Sequence, residues 1–71
     1  MEKEIIFLVE EDVEGGYIAK SIGYSIFTEG ENLEELKKNI LDAVKCHFEK
    51  EEDIPKIVRL HIVKEEIIEN V

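Results

Sequence analysis

The sequence predicts an α+β domain of β-β-β-α-β order, with one mixed four-stranded sheet in the order 3-2-1-4 and a single helix on one face. Three observations predict it. Residues 4–10 form a β-rich run that is apolar on both faces, the mark of a central strand. From Asn32 onward the apolar residues recur at helical period behind an N-cap signal. After Pro55 a second β-rich run, 57–64, follows. At 71 residues the chain has room for one small domain, taken as 1–71, with a thin core.

The elements follow in order. In Lys3–Glu10, Ile5, Phe7 and Val9 share one face and Ile6 and Leu8 the other. Glu11–Gly16 is a turn ending in two glycines that can adopt positive φ. Tyr17–Ile22 alternates as a second strand, and Gly23 is placed as the hinge of a tight hairpin into a third, Tyr24–Thr28. Asn32 occupies the N-cap position, and Glu35 three residues later completes a capping-box pattern. Leu33, Leu36, Ile40, Val44 and Phe48 form the apolar stripe of a helix over 33–50, which Pro55 requires to stop near 49–52. Ile57–Lys64 is the fourth strand, with Val58, Leu60 and Ile62 on one face and Ile57, Arg59, His61 and Val63 on the other. A last strand arriving after one helix lies parallel to the first, beside it. The helix covers one sheet face. The other is partly apolar, either solvated or an interface.

Composition removes several functions. Eighteen Asp and Glu face nine Lys and Arg, a net charge of −9, whereas an autonomous nucleic-acid or anionic-membrane binder needs a basic face. An acidic domain of this size suits a basic protein partner. The single cysteine, Cys46, excludes an internal disulfide framework and a thiolate zinc cluster. No apolar run approaches a membrane span and no signal-peptide pattern opens the chain, so the expected compartment is the cytoplasm. Fifteen Glu, eight Lys and eleven Ile, with neither Gln nor Trp, lean toward a thermophile's composition.

With the elements placed, the run Phe7-Leu8-Val9-Glu10-Glu11-Asp12-Val13-Glu14-Gly15-Gly16-Tyr17-Ile18-Ala19 resembles the amino-terminal signature of the HicB-like antitoxin family. The match continues through Thr28-Glu29-Gly30, Leu33-Glu34-Glu35-Leu36, Ala43–Phe48 and Val58–Val63, nearly the whole chain. The resemblance implies a truncated ribonuclease-H-like fold without working nuclease carboxylates. It implies a protein that binds a small basic mRNA-cleaving toxin and covers the toxin's catalytic histidine. Many members add a carboxy-terminal DNA-binding module. Here only 65–71 follow the fourth strand, so direct operator binding is not expected.

Among individual residues, Glu10, Asp12 and Glu14 at the first turn are a solvated acidic turn or a patch for the toxin, with Tyr17 and Tyr24 as further candidate contacts. A two-metal nuclease site would need carboxylates converging from several elements, and the fourth strand offers Arg59 and His61 instead. Cys46 and His47, adjacent on a helix, point about 100° apart and form no nucleophile–base pair. Cys46 is expected buried or half-buried. His47 and His61 are read as packing or surface histidines, and Tyr17, Tyr24 and Phe27 as aromatics paired across the sheet. No Gly-rich phosphate loop is present, so the expectation is a non-enzymatic binding module without cofactor or metal. The open sheet face and free edges predict a homo-oligomer, with Phe27, Ile67, Ile68 and Val71 as contacts. The rival functional classes are a stand-alone oligomeric adaptor that has lost its toxin, and a metal-dependent nuclease resting on fold analogy.

Overall fold

A computed structural model describes residues 3–64 and 67–70. The strands are β1 (Glu4–Glu11), β2 (Tyr17–Ser21), β3 (Phe27–Gly30) and β4 (Ile57–Val63), with helix α1 (Leu33–His47) and a 3-10 turn at Glu51–Asp53. They form a single four-stranded sheet in the order β3-β2-β1-β4. β1 is antiparallel to β2 and parallel to β4, and β2 is antiparallel to β3. The predicted topology is the observed one.

The core lies between the sheet and α1. Ile5, Phe7 and Val9 of β1, Ala19 of β2, and Leu36, Ile40 and Val44 of α1 are buried. Val58 and Leu60 pack against them half-buried. The two faces of β1 separate as their alternation requires: Ile6 and Leu8 point away from the helix and are only half-covered. Helix α1 sits over β2 and β3, which leaves a shallow apolar groove between α1 and β4, lined by Lys37, Ile40, Leu41, Val58 and Leu60.

The helix start is built as the sequence implies, with one change. Asn32 Oδ1 accepts from the Glu35 N–H at 2.8 Å. The Glu35 carboxylate reaches one residue further back than a capping box requires, accepting from the Glu31 N–H at 3.1 Å. Asn39 then ties the helix to the sheet by donating to the Glu29 carbonyl at 2.8 Å.

Several boundaries differ from expectation. β3 begins at Phe27, not Tyr24, and β2 stops at Ser21. The link between them is no tight hairpin at Gly23. It is a loop in which the Ser21 hydroxyl donates to the Tyr24 carbonyl and accepts from the Ile26 N–H, sending Ile26 into the core. Helix α1 ends at His47, short of 49–52, because Phe48 turns extended while its N–H still bonds the Val44 carbonyl. The expected cross-sheet aromatic pairing is also replaced. Tyr24 meets His47 and Phe48 edge-on, with centroids 5.8 and 5.3 Å apart. Tyr17 packs against the core, and Phe27 is exposed. Cys46, expected buried or half-buried, is exposed because the buried stripe of α1 passes through Leu36, Ile40 and Val44.

Candidate partner-binding surface

One end of the sheet gathers carboxylates from three elements. At the end of β1, Glu10 and Glu11 lead into a turn closed by two 3.0 Å bonds, Asp12 N–H to the Gly16 carbonyl and Gly15 N–H to the Asp12 carbonyl. The Asp12 carboxylate accepts from the Glu14 N–H at 3.2 Å, an Asx turn that fixes its direction. Val13 stands fully exposed at the tip between Asp12 and Glu14.

The second and third contributions come from the end of β3 and the start of α1. Glu29 and Glu31 flank Gly30, and Glu34 and Glu35 fill the first helical turn, where the helix dipole favours negative charge. A cleft of about 390 Å³ is lined by Asp12, Gly15, Tyr17, Glu29, Gly30, Glu31, Glu35 and Asn39. Asp12 also borders a second hollow of about 550 Å³, lined by Glu10, Glu11, Val13, Val63, Lys64 and Ile67. Among the described residues, Lys64 is the one cation lining either hollow.

Two glycines bring these pieces together. Gly16, at φ +82°, approaches so closely that a Cβ there would lie 2.8 Å from the Gly30 carbonyl oxygen. A Cβ on Gly30 would lie 2.6 Å from the Leu36 amide nitrogen. The Glu-Gly-Gly-Tyr turn and the Thr-x-Gly element, far apart in sequence, are therefore two halves of one contact, with the register Tyr17 opposite Gly30. That contact holds the acidic turn beside the acidic helix start. Among the described residues no three His, Cys, Asp or Glu side chains converge on a metal-sized point. The charge at this end is spread over a surface.

Of the expected contact residues, Glu10, Asp12, Glu14 and Tyr17 lie at this end, with Glu10 on the sheet face away from the helix and Tyr17 on the helix side. Tyr24 lies elsewhere, against the carboxy-terminal end of α1. Phe27 is exposed on the edge strand β3, and Ile67 and Ile68 are exposed beyond β4. Val71 falls outside the described residues. His47 ends α1, while His61 is exposed on β4, opposite Leu8 and away from the helix. Sequence reasoning missed Val13 and the Glu29, Glu31 and Glu35 contribution. The paired glycine motifs were the signal for the second, and nothing in the sequence marks the first.

The fold and this surface define a small one-helix α+β domain with an acidic pole. Over 64 residues, 90% of this chain and 89% of the relative, it is 52% identical to a UPF0150 protein of Thermotoga maritima. Over 53 residues, 75% of this chain and 77% of the relative, it is 56% identical to a UPF0150 protein of Archaeoglobus fulgidus. The chain belongs to the UPF0150 family. Both relatives come from heat-loving organisms, in keeping with the composition. No family model and no solved structure matches the chain. No helix among the described residues is long and apolar enough to cross a membrane.

Proposed function

We propose that this domain is an antitoxin-like module that neutralises a small basic mRNA-cleaving toxin by covering its cationic RNA-binding surface with the acidic pole. The observation that carries the reading is the convergence of carboxylates from β1, β3 and α1 beside Tyr17 and the exposed tip of Val13. Clustered charge of one sign speeds encounter with an oppositely charged partner, and an apolar tip among the charges supplies contact area once the two meet. The resemblance to HicB-like antitoxins supplies the partner class. The names of the UPF0150 relatives state no activity. On this reading the domain acts by binding, in the cytoplasm, without catalysis.

The test is co-expression with the short basic reading frame nearest the gene. Rescue of growth, together with co-purification at low salt that weakens as salt rises, is the expected result. A neighbour whose toxicity persists, and which does not co-purify, removes the antitoxin reading and leaves the adaptor.

A further inference from the structure

The two edges of the sheet are treated differently. β3 has only four residues, lies beneath α1, and has its Glu29 carbonyl bonded by the Asn39 side chain. β4 has seven residues, Ile57–Val63, and its outer edge pairs with no strand among the described residues. Beyond it Ile67 and Ile68 are 84% and 87% exposed, so neither packs back over that edge. Sheets blunt their edges by shortening, covering or charging them, and a long apolar edge left open is a template for another strand.

β4 is also the strand that α1 leaves uncovered. Ile5, Phe7 and Val9 of β1 are fully buried, yet their partners Val58 and Leu60 are half-buried and Ile62 is 47% exposed. The groove that results, about 210 Å³, is lined by four aliphatic side chains and by Lys37. Charge on this side departs from the rest of the chain. Residues 54–64 carry Lys56, Arg59 and Lys64 and no carboxylate, while the other residues set six cations against eighteen acids, a balance of −12. Arg59 is paired with Glu4, Lys56 shares a hollow with Glu51 and Glu52, and Lys64 shares one with Glu10 and Glu11. Lys37 is the one charged residue lining the groove, and neither ion pair among the described residues uses it.

From this juxtaposition of an open edge with a cation-bearing apolar groove, we propose that β4 takes up an extended segment of another protein as a fifth strand, one with apolar residues at alternate positions and a carboxylate that meets Lys37. The edge and the groove call for the same shape. A strand added to β4 gives its main chain to the open N–H and C=O groups and turns every second side chain toward the groove between Leu41 and Leu60. The sign of the charge selects the partner. A basic segment is drawn to the acidic pole and gains nothing from Lys37, whereas an acidic one is repelled by the pole and finds its opposite charge here. Pairing with the β4 of a second copy would set Arg59 and its flanking lysines against their own kind.

The proposal does not depend on the antitoxin reading, which concerns a basic partner at the other surface. The experiment is titration of the full chain with the heptapeptide Val-Thr-Val-Thr-Glu-Thr-Glu, followed by amide chemical shifts, with circular dichroism as the folding check. The expected result is saturable binding, with shifts at 57–63 and at Lys37 and Leu41. Leu41→Glu and Lys37→Glu should each weaken it by about tenfold or more. Phe27→Glu, on the opposite sheet face, should leave it unchanged. Two further peptides separate the contributions. Lysine in place of both glutamates should weaken binding through the charge, and proline in place of the middle threonine should weaken it by removing a ladder N–H. No saturable binding at millimolar peptide overturns the proposal, as does a proline peptide that binds equally well. A lysine peptide that binds more tightly, with shifts around Asp12 and Glu14, overturns it while supporting a basic partner at the pole. Shifts at 57–63 on concentrating the protein alone would give the edge to a second copy and overturn it too.

Discussion

Gly30 lies directly beneath the first turn of α1: a Cβ added there would sit 2.6 Å from the Leu36 amide nitrogen and 2.8 Å from its Cα. Both atoms belong to helix backbone, and Leu36 is fully buried beside Ile40 in the core. Neither can move aside alone.

The first prediction is that Gly30→Ala destabilises the domain by about 1–3 kcal/mol, the cost of forcing a methyl into a packed contact. Gly16→Ala should cost at least as much, since it adds strain at φ +82° to a 2.8 Å approach to the Gly30 carbonyl oxygen. Gly15→Ala meets nothing within 4 Å but sits at φ +103°, so it should suffer the backbone strain alone and cost less than Gly16→Ala. Urea midpoints order the variants, and a loss at Gly15 as large as that at Gly16 would refute the close-approach account.

The topology was legible because each element carried its own local signal: two-faced apolarity in β1, the Asn32 cap, and the restart after Pro55. What failed turned on specific side-chain contacts that residue spacing does not display. Tyr24, Ile26 and Thr28 fall on one face at strand period, with Ser25 and Phe27 on the other, so a strand from Tyr24 fits the pattern. Only the Ser21 hydroxyl, bonded to Tyr24 and Ile26 across the loop, shows why the chain detours before β3. Phe48 fits the helical stripe by spacing, yet its ring is held against Tyr24. The acidic pole was half-legible. The β1 turn is contiguous in sequence, whereas Glu29, Glu31 and Glu35 join it only through the Gly16–Gly30 contact.

At the helix start, Asn32→Ala removes the acceptor for the Glu35 N–H and should cost about 1 kcal/mol. Asn32→Asp retains an acceptor oxygen and adds a favourable charge at the positive end of the dipole, so it should be near neutral. Thermal midpoints of the two variants check the difference. A loss as large for Asp as for Ala would mean that the cap contributes little.

At the opposite end of α1, the Tyr24–His47–Phe48 cluster fastens the last turn, where the Phe48 N–H bonds the Val44 carbonyl at 3.3 Å. An aromatic pair contributes about 0.5–1.5 kcal/mol beyond its buried area. Tyr24→Ala should therefore speed amide exchange at Phe48 and the residues just before it, while the Ile5, Phe7 and Val9 amides keep their protection. Uniform acceleration across the sheet would show global destabilisation instead of local fraying.

The last prediction separates charge from structure at the acidic pole. Asp12→Asn keeps an oxygen that can accept from the Glu14 N–H, so the Asx turn survives while one charge is lost. Glu14→Gln removes a charge from an exposed side chain. Neither change breaks a packed contact, and each relieves repulsion among neighbouring carboxylates, so stability should hold or rise by a few tenths of a kcal/mol. Association with a basic partner should slow, because steering depends on summed charge. The double variant should slow further, and its association rate should depend less steeply on salt. Asp12→Ala is the complementary control: it loses the turn acceptor as well as the charge, and should fall in both stability and rate. Stopped-flow association at several salt concentrations, run beside urea unfolding, reads both quantities. If Asp12→Asn and Glu14→Gln leave the association rate and its salt slope unchanged, the pole plays no part in partner capture.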